Sequence, residues 1–106
     1  MPREKRPRRR NAVALSAFAE ADLLDIALYI AEDNPDRALS FADELQEACN
    51  GLADRPLRFP LLPGFETSAL RRRVHGRYSI IYRIDADTIQ VLRVVSNAMD
   101  LSTVLG

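Results

Sequence analysis

The chain has 106 residues, 47% of them apolar and 28% charged, a balance that fits one soluble domain around one core. No apolar run approaches the roughly 20 residues that a membrane helix needs, so no membrane partner is expected. One cysteine, Cys49, excludes an internal disulfide framework and a cysteine-based zinc site.

The formal charges cancel, but unevenly along the chain. Residues 1–10 carry a net +5, residues 11–54 carry −9 with Arg37 as their only base, and residues 55–106 carry +4 through arginine alone. Such segregation bears on partners rather than on fold. Residues 1–11, with Pro2 and Pro7 and no periodicity, are expected to be a disordered basic tail ahead of a single domain over 12–106. Arg8-Arg9-Arg10 ahead of Ala17-Phe18-Ala19 has the outline of an export signal. The apolar stretch between them is too short and helix signals follow at once, so a cytoplasmic protein is expected.

Residues 12–16 make a short strand. Ser16 then offers an N-cap for a helix over Ala17–Glu32. Leu23, Ile26, Ala27 and Ile30 form its buried stripe, and Leu24 and Leu28 form a second apolar row. That second row is covered either by the domain itself or by a partner. Asn34 caps and Pro35 opens a second helix running to about Leu52, with Ala38, Phe41, Ala42, Leu45, Cys49 and Leu52 inward. Cys49 therefore reads as core, not nucleophile. The short link makes the pair an antiparallel hairpin.

Residues 54–68, with three prolines, are a loop whose Leu57, Phe59, Leu61 and Leu62 should tuck onto the core. Three strands follow at Leu70–Val74, Tyr78–Ile84 and Thr88–Val95, joined by turns at His75-Gly76 and Asp85-Ala86-Asp87. Links this short require antiparallel pairing. The expected fold is α+β, in the order β-α-α-β-β-β, with the helical hairpin on one face of a small, mainly antiparallel sheet.

Alternation places Tyr78, Ile80, Tyr82 and Ile84 inward. It gathers Arg71, Arg73, Arg77 and Arg83 on the outward side. In the last strand Ile89, Val91 and Val95 are expected inward together with Arg93, which then needs a carboxylate from the first helix, Asp22 or Asp25.

Ala19-Glu20-Ala21-Asp22-Leu23, Tyr29-Ile30 and Asn34-Pro35-Asp36-Arg37-Ala38 resemble the helical hairpin of the ParE/RelE toxin superfamily. Gly76-Arg77-Tyr78 with Ile81-Tyr82-Arg83, and Val91-Leu92-Arg93-Val94-Val95, resemble its strands, closer to ParE. The likeness spans about residues 13–104. It implies a type II toxin neutralised by a co-encoded antitoxin in a heteromeric complex that touches operator DNA only through the antitoxin. It implies DNA gyrase as a protein target for ParE-type members, and mRNA cleavage for RelE-type ones. One departure stands out: where the family commonly reads His-Gly-Ala-Arg-Asp, this chain has Ser96-Asn97-Ala98-Met99-Asp100.

Ribonuclease chemistry needs general acid–base groups beside positioned cations. Residues 96–106 contain no Tyr, His, Lys, Arg or Glu, and the only histidine, His75, sits in a turn. Tyr78 and Tyr82 read as core aromatics. No catalytic residue, cofactor or metal site is therefore expected. The expected antitoxin-binding residues are Leu24, Leu28, Arg71, Arg73, Arg77 and Arg83, with an acidic antitoxin segment on the arginines. An RNA-cleaving enzyme and a degenerate, non-toxic member remain as alternatives. The binding account requires that no open cleft sized for a phosphate gathers a tyrosine hydroxyl and two guanidinium groups.

Overall fold

The computed structural model describes residues 12–105. The expected disordered tail, residues 1–11, lies outside them. In chain order the elements are β1 (Ala12–Leu15), α1 (Ala17–Ala31), α2 (Pro35–Asn50), β2 (Arg71–His75), β3 (Tyr78–Asp85), β4 (Thr88–Ser96) and α3 (Leu101–Leu105). Short 3₁₀ turns occupy Gly51–Ala53, Pro56–Arg58 and Glu66–Ser68. The architecture is α+β, with the α1–α2 hairpin on one face of a four-stranded mixed sheet of order β1-β4-β3-β2.

Local chemistry sets the helix starts. Ser16 accepts a hydrogen bond from the Ala19 amide, and Asn34 accepts one from the Arg37 amide ahead of Pro35. The C-terminal end of α2 lacks a base of its own. Arg73 from β2 donates to the Ala48 carbonyl at 2.8 Å and Arg58 to the Gly51 carbonyl at 3.4 Å, so distant guanidinium groups meet the negative end of the helix dipole.

The meander is antiparallel as its links require, and β1 adds in parallel to the outer edge of β4, with Leu15 opposite Val91. The main core lies between helices and sheet, built on Ile26, Phe41, Leu45, Leu52, Ile80, Tyr82, Ile89 and Val91. Cys49 sits within it, and burial pushes its thiol up to about 11, so it stays a thiol at neutral pH. Tyr82 is likewise buried, and its hydroxyl donates to the Pro56 carbonyl.

Several expectations fail here. The two-residue turn at Gly76-Arg77 sets His75 opposite Tyr78, so Arg73 faces Ile80 and Arg71 faces Tyr82. Directly opposed residues share a face, which puts Arg71 and Arg73 on the helix side rather than outward. Leu70, Arg72 and Val74 take the outward side instead. Between β3 and β4 the register slips at Ile81/Tyr82, a bulge that makes Leu92 of β4 the extra residue. Val94 is thereby turned toward Ile80, and Val95 goes to the other face. Within the loop Leu62 is buried and Phe59 packs on the core, but Leu57 is exposed and Leu61 only partly covered.

The outward face of the sheet is not bare. Leu62, Leu70, Ile81 and Val95 form a second core, closed over by Phe65 and by Leu101, Val104 and Leu105 of α3. A hydrogen-bonded chain locks the hairpin to the C-terminal segment: Arg72 donates to buried Ser79, and Ser79 to Asn97, whose amide nitrogen donates to the Gly76 carbonyl.

Candidate functional site

Helix α1 is apolar on two opposite faces. Ala19 and Ile26 are buried against the domain. On the opposite side Ala17, Ala21, Leu24 and Leu28 recur at i, i+4, i+7 and i+11, and all are exposed, Leu24 by 60% and Leu28 by 58%. Phe18 and Tyr29 flank this row and are 70% exposed each. An amphipathic surface helix shows a polar face to water; here the outer face is apolar, and the charges on α1 are Glu20, Asp22 and Asp25, with no base.

Where β1 ends, β4 has no strand on that side, and α1 takes over its open edge. The Ser16 hydroxyl donates to the Leu92 carbonyl at 2.8 Å. Asp22 accepts from the Val94 amide at 2.9 Å and takes both ends of the Arg93 guanidinium, Nε at 2.8 Å and Nη2 at 2.9 Å. The carboxylate holds Arg93 above the ordinary arginine range. Of the two carboxylates considered for this arginine, Asp22 takes it and Asp25 does not. Phe18 lies under the same guanidinium, 5.7 Å from its ring centre.

Beside this ion pair a cavity of about 500 Å³ opens between α1 and the ends of β3 and β4. Ile26, Tyr29, Tyr78 and Met99 give it apolar and aromatic walls, with Asp25 on the helix side and Arg77 on the hairpin side. Ser96 also lines it, so two of the departures from the family wording, Ser96 and Met99, face one cavity. The cleft does bring tyrosines near two arginines. Arg93, however, is held by Asp22, and Asp25 stands in the same wall, so the cations are matched by acids and no phosphate-sized positive pocket results.

The arginines expected to form one face are dispersed. Arg71 donates to the Phe59 carbonyl at 2.6 Å and Arg73 to that of Ala48. The guanidinium groups of Arg58 and Arg73 stack on the Phe59 ring, 4.8 and 5.0 Å from its centre. Burial and the nearby Arg58 charge lower Arg73 below the usual arginine range. Arg83 pairs with Asp85 at 3.2 Å on the outward face, and Arg77 rims the cavity. His75 has its Nε2 3.3 Å from Glu44, whose other partner is Arg37. Among the described residues no group of three His, Cys, Asp or Glu side chains is arranged to hold a metal.

Sequence reasoning overlooked Phe18 and Tyr29, although their spacing from Asp22 and Asp25 (i, i+4, i+7, i+11) places all four on one side of α1.

These features define a small α+β domain shared with toxins of toxin–antitoxin pairs. A structure described as the chromosomal ParDE toxin–antitoxin system from P. aeruginosa matches with a TM-score of 0.72 at 21% identity, over 82% of this chain and 96% of that one. The toxin–antitoxin complex RelBE2 from Mycobacterium tuberculosis matches with a TM-score of 0.63 at 25% identity, over 83% and 99%. No curated protein sequence matches. The profile of the ParE toxin of the type II toxin–antitoxin system parDE matches residues 13–101, and the chain belongs to that family of toxins.

Proposed function

We propose that this toxin acts by binding a protein target, DNA gyrase, and is neutralised by an antitoxin that covers the outer face of α1. The observation that carries the reading is the apolar row Leu24–Leu28, exposed on a helix whose other side is already packed. The ordered arginines support binding over catalysis, because Arg71, Arg73 and Arg93 hold carbonyls or a carboxylate rather than standing free. Among the described residues no helix is long and apolar enough to cross a membrane, and a gyrase target would place the protein in the cytoplasm. Contact with operator DNA would come only through the antitoxin.

The test is inducible expression with two readouts, gyrase-dependent DNA breaks and ribosome-dependent mRNA cleavage. Growth arrest with gyrase-dependent breaks, relieved by the antitoxin, is the expected result. A Leu24→Glu/Leu28→Glu double variant should remain folded and toxic but escape that relief. The tyrosine pair of the cavity favours a RelE-like ribonuclease as the second reading. mRNA cleavage that disappears in Arg77→Ala, a change at the rim of that cavity, would establish it in place of the first. Antitoxin binding without any growth arrest would mark a non-toxic member.

A further inference from the structure

Resting on the antitoxin reading above, we infer that the α1–β3–β4 cavity is an anchor site for one antitoxin segment. That segment presents a large apolar side chain with a lysine or arginine beside it and a carboxylate further along. The volume, about 500 Å³, lies in the range of real ligand sites and exceeds what one water or ion would occupy. Its walls, Ile26, Tyr29, Tyr78 and Met99, are largely apolar and aromatic, which suits an aromatic or branched aliphatic anchor rather than a sugar or phosphate.

The rim sets the flanking charges. On the helix side Asp25 is exposed and has no ion-pair partner among the described residues, while Asp22 is occupied by Arg93 and Val94. No base lies on α1 to compete for Asp25. On the hairpin side Arg77 is exposed, again without an ion-pair partner among the described residues. An acid from α1 and a guanidinium from the hairpin, both lining one slot, fix the direction of the bound segment, its base toward α1 and its acid toward the β2–β3 turn. A polyanion fits badly, since acids and bases balance in the lining. The cavity also continues onto the exposed row of α1 through Tyr29 and Asp25, so one partner helix or strand can fill the slot and cover Leu24 and Leu28 together. This reverses the sequence-based expectation: the partner must be basic where it meets the helix, not acidic over the sheet arginines, because Arg71 and Arg73 already hold backbone carbonyls.

The experiment is calorimetric titration of the full-length toxin with the antitoxin from the adjacent reading frame. Three toxin variants are compared: Met99→Trp to fill the slot, Asp25→Lys to reverse its helix-side charge, and Leu57→Ser as a distant surface control. Met99, Asp25 and Leu57 are all exposed, so thermal midpoints should stay near wild type. Met99→Trp should weaken binding at least tenfold. Asp25→Lys should weaken it at least tenfold at low salt and less at high salt, and the control should not change it. An antitoxin with its anchor-flanking base changed to Glu should bind Asp25→Lys better than wild type does. Tight binding by wild type and by both cavity variants overturns the anchor site and leaves the antitoxin reading standing. No binding by wild-type toxin overturns both.

Discussion

Replacing Asp22 by alanine tests how α1 is fastened to the sheet. The carboxylate accepts three hydrogen bonds, two from Arg93 and one from the Val94 amide. Their contributions differ with burial. The Arg93 side chain is 27% exposed and can turn to water once the partner is gone, so its share is about 1 kcal/mol. The Val94 amide cannot: the residue is 2% exposed, on a strand edge with no neighbouring strand there, and stranding that donor costs about 1–2 kcal/mol. Alanine's better helix propensity offsets a few tenths of a kcal/mol. The net loss is about 2 kcal/mol, which in a domain of this size lowers Tm by on the order of 10 °C. Urea unfolding followed by circular dichroism measures it. Asp22→Asn keeps an acceptor for the Val94 amide and should lose only about half as much. Arg93→Met removes the guanidinium and leaves the amide bonded, and it should resemble Asp22→Asn. If Asp22→Ala proves no worse than Arg93→Met, the amide is not what ties helix to strand, and the reasoning is refuted.

Three further outcomes follow from the fold. Ala86 sits in the β3–β4 turn at φ +53°, a left-handed conformation that alanine adopts at a cost; Ala86→Gly should raise stability by roughly 0.5–1 kcal/mol in the same urea assay. Leu62 is fully buried in the second core, and Leu62→Ala should cost about 3 kcal/mol, whereas a solvated outer sheet face would make the change nearly neutral. Glu44 is held below the usual carboxylate range, first by the hydrogen bond from Arg37 and then by that from His75. A depressed folded value means that its stabilisation is complete above the ordinary glutamate pKa and lost as pH falls through the folded one. Wild type should therefore exceed Glu44→Gln in stability at neutral pH, with the gap closing in acid. A gap that widens in acid would contradict the assignment.

The helical hairpin was plain in the sequence because caps and apolar spacing agree there: Ser16, then Asn34 with Pro35, then stripes at helical period. Strand positions were plain for a similar reason, since Gly76 and the Asp85–Asp87 turn punctuate them. Sidedness was harder. The short turn at Gly76 already implied that His75 opposes Tyr78, and carrying that register back two and four residues would have put Arg73 and Arg71 on the helix side. The bulge at Leu92 had no such signal, because Val91 through Val95 read equally well in either phase. The second core escaped notice because α3 is short and its apolar residues, Leu101, Val104 and Leu105, look like any chain end. For the candidate site, Leu24 and Leu28 could be read from spacing alone. The cavity could not, since its walls come from α1 and from the hairpin and β4, far apart in the chain, and meet only when β4 lies beside α1.

The parallel pairing of β1 with β4 also dictates the order in which the molecule can assemble. β1 is made first and its neighbour last; at roughly 5–20 residues per second of synthesis, about 4–15 s separate the appearance of Leu15 from that of Thr88. The helical hairpin rests on local contacts and can form in that interval, but its sheet-facing side has nothing to lie on until the final strand emerges. A message cut short before Thr88 thus yields acidic helices without a platform, and the fold comes into being only once β4 has emerged.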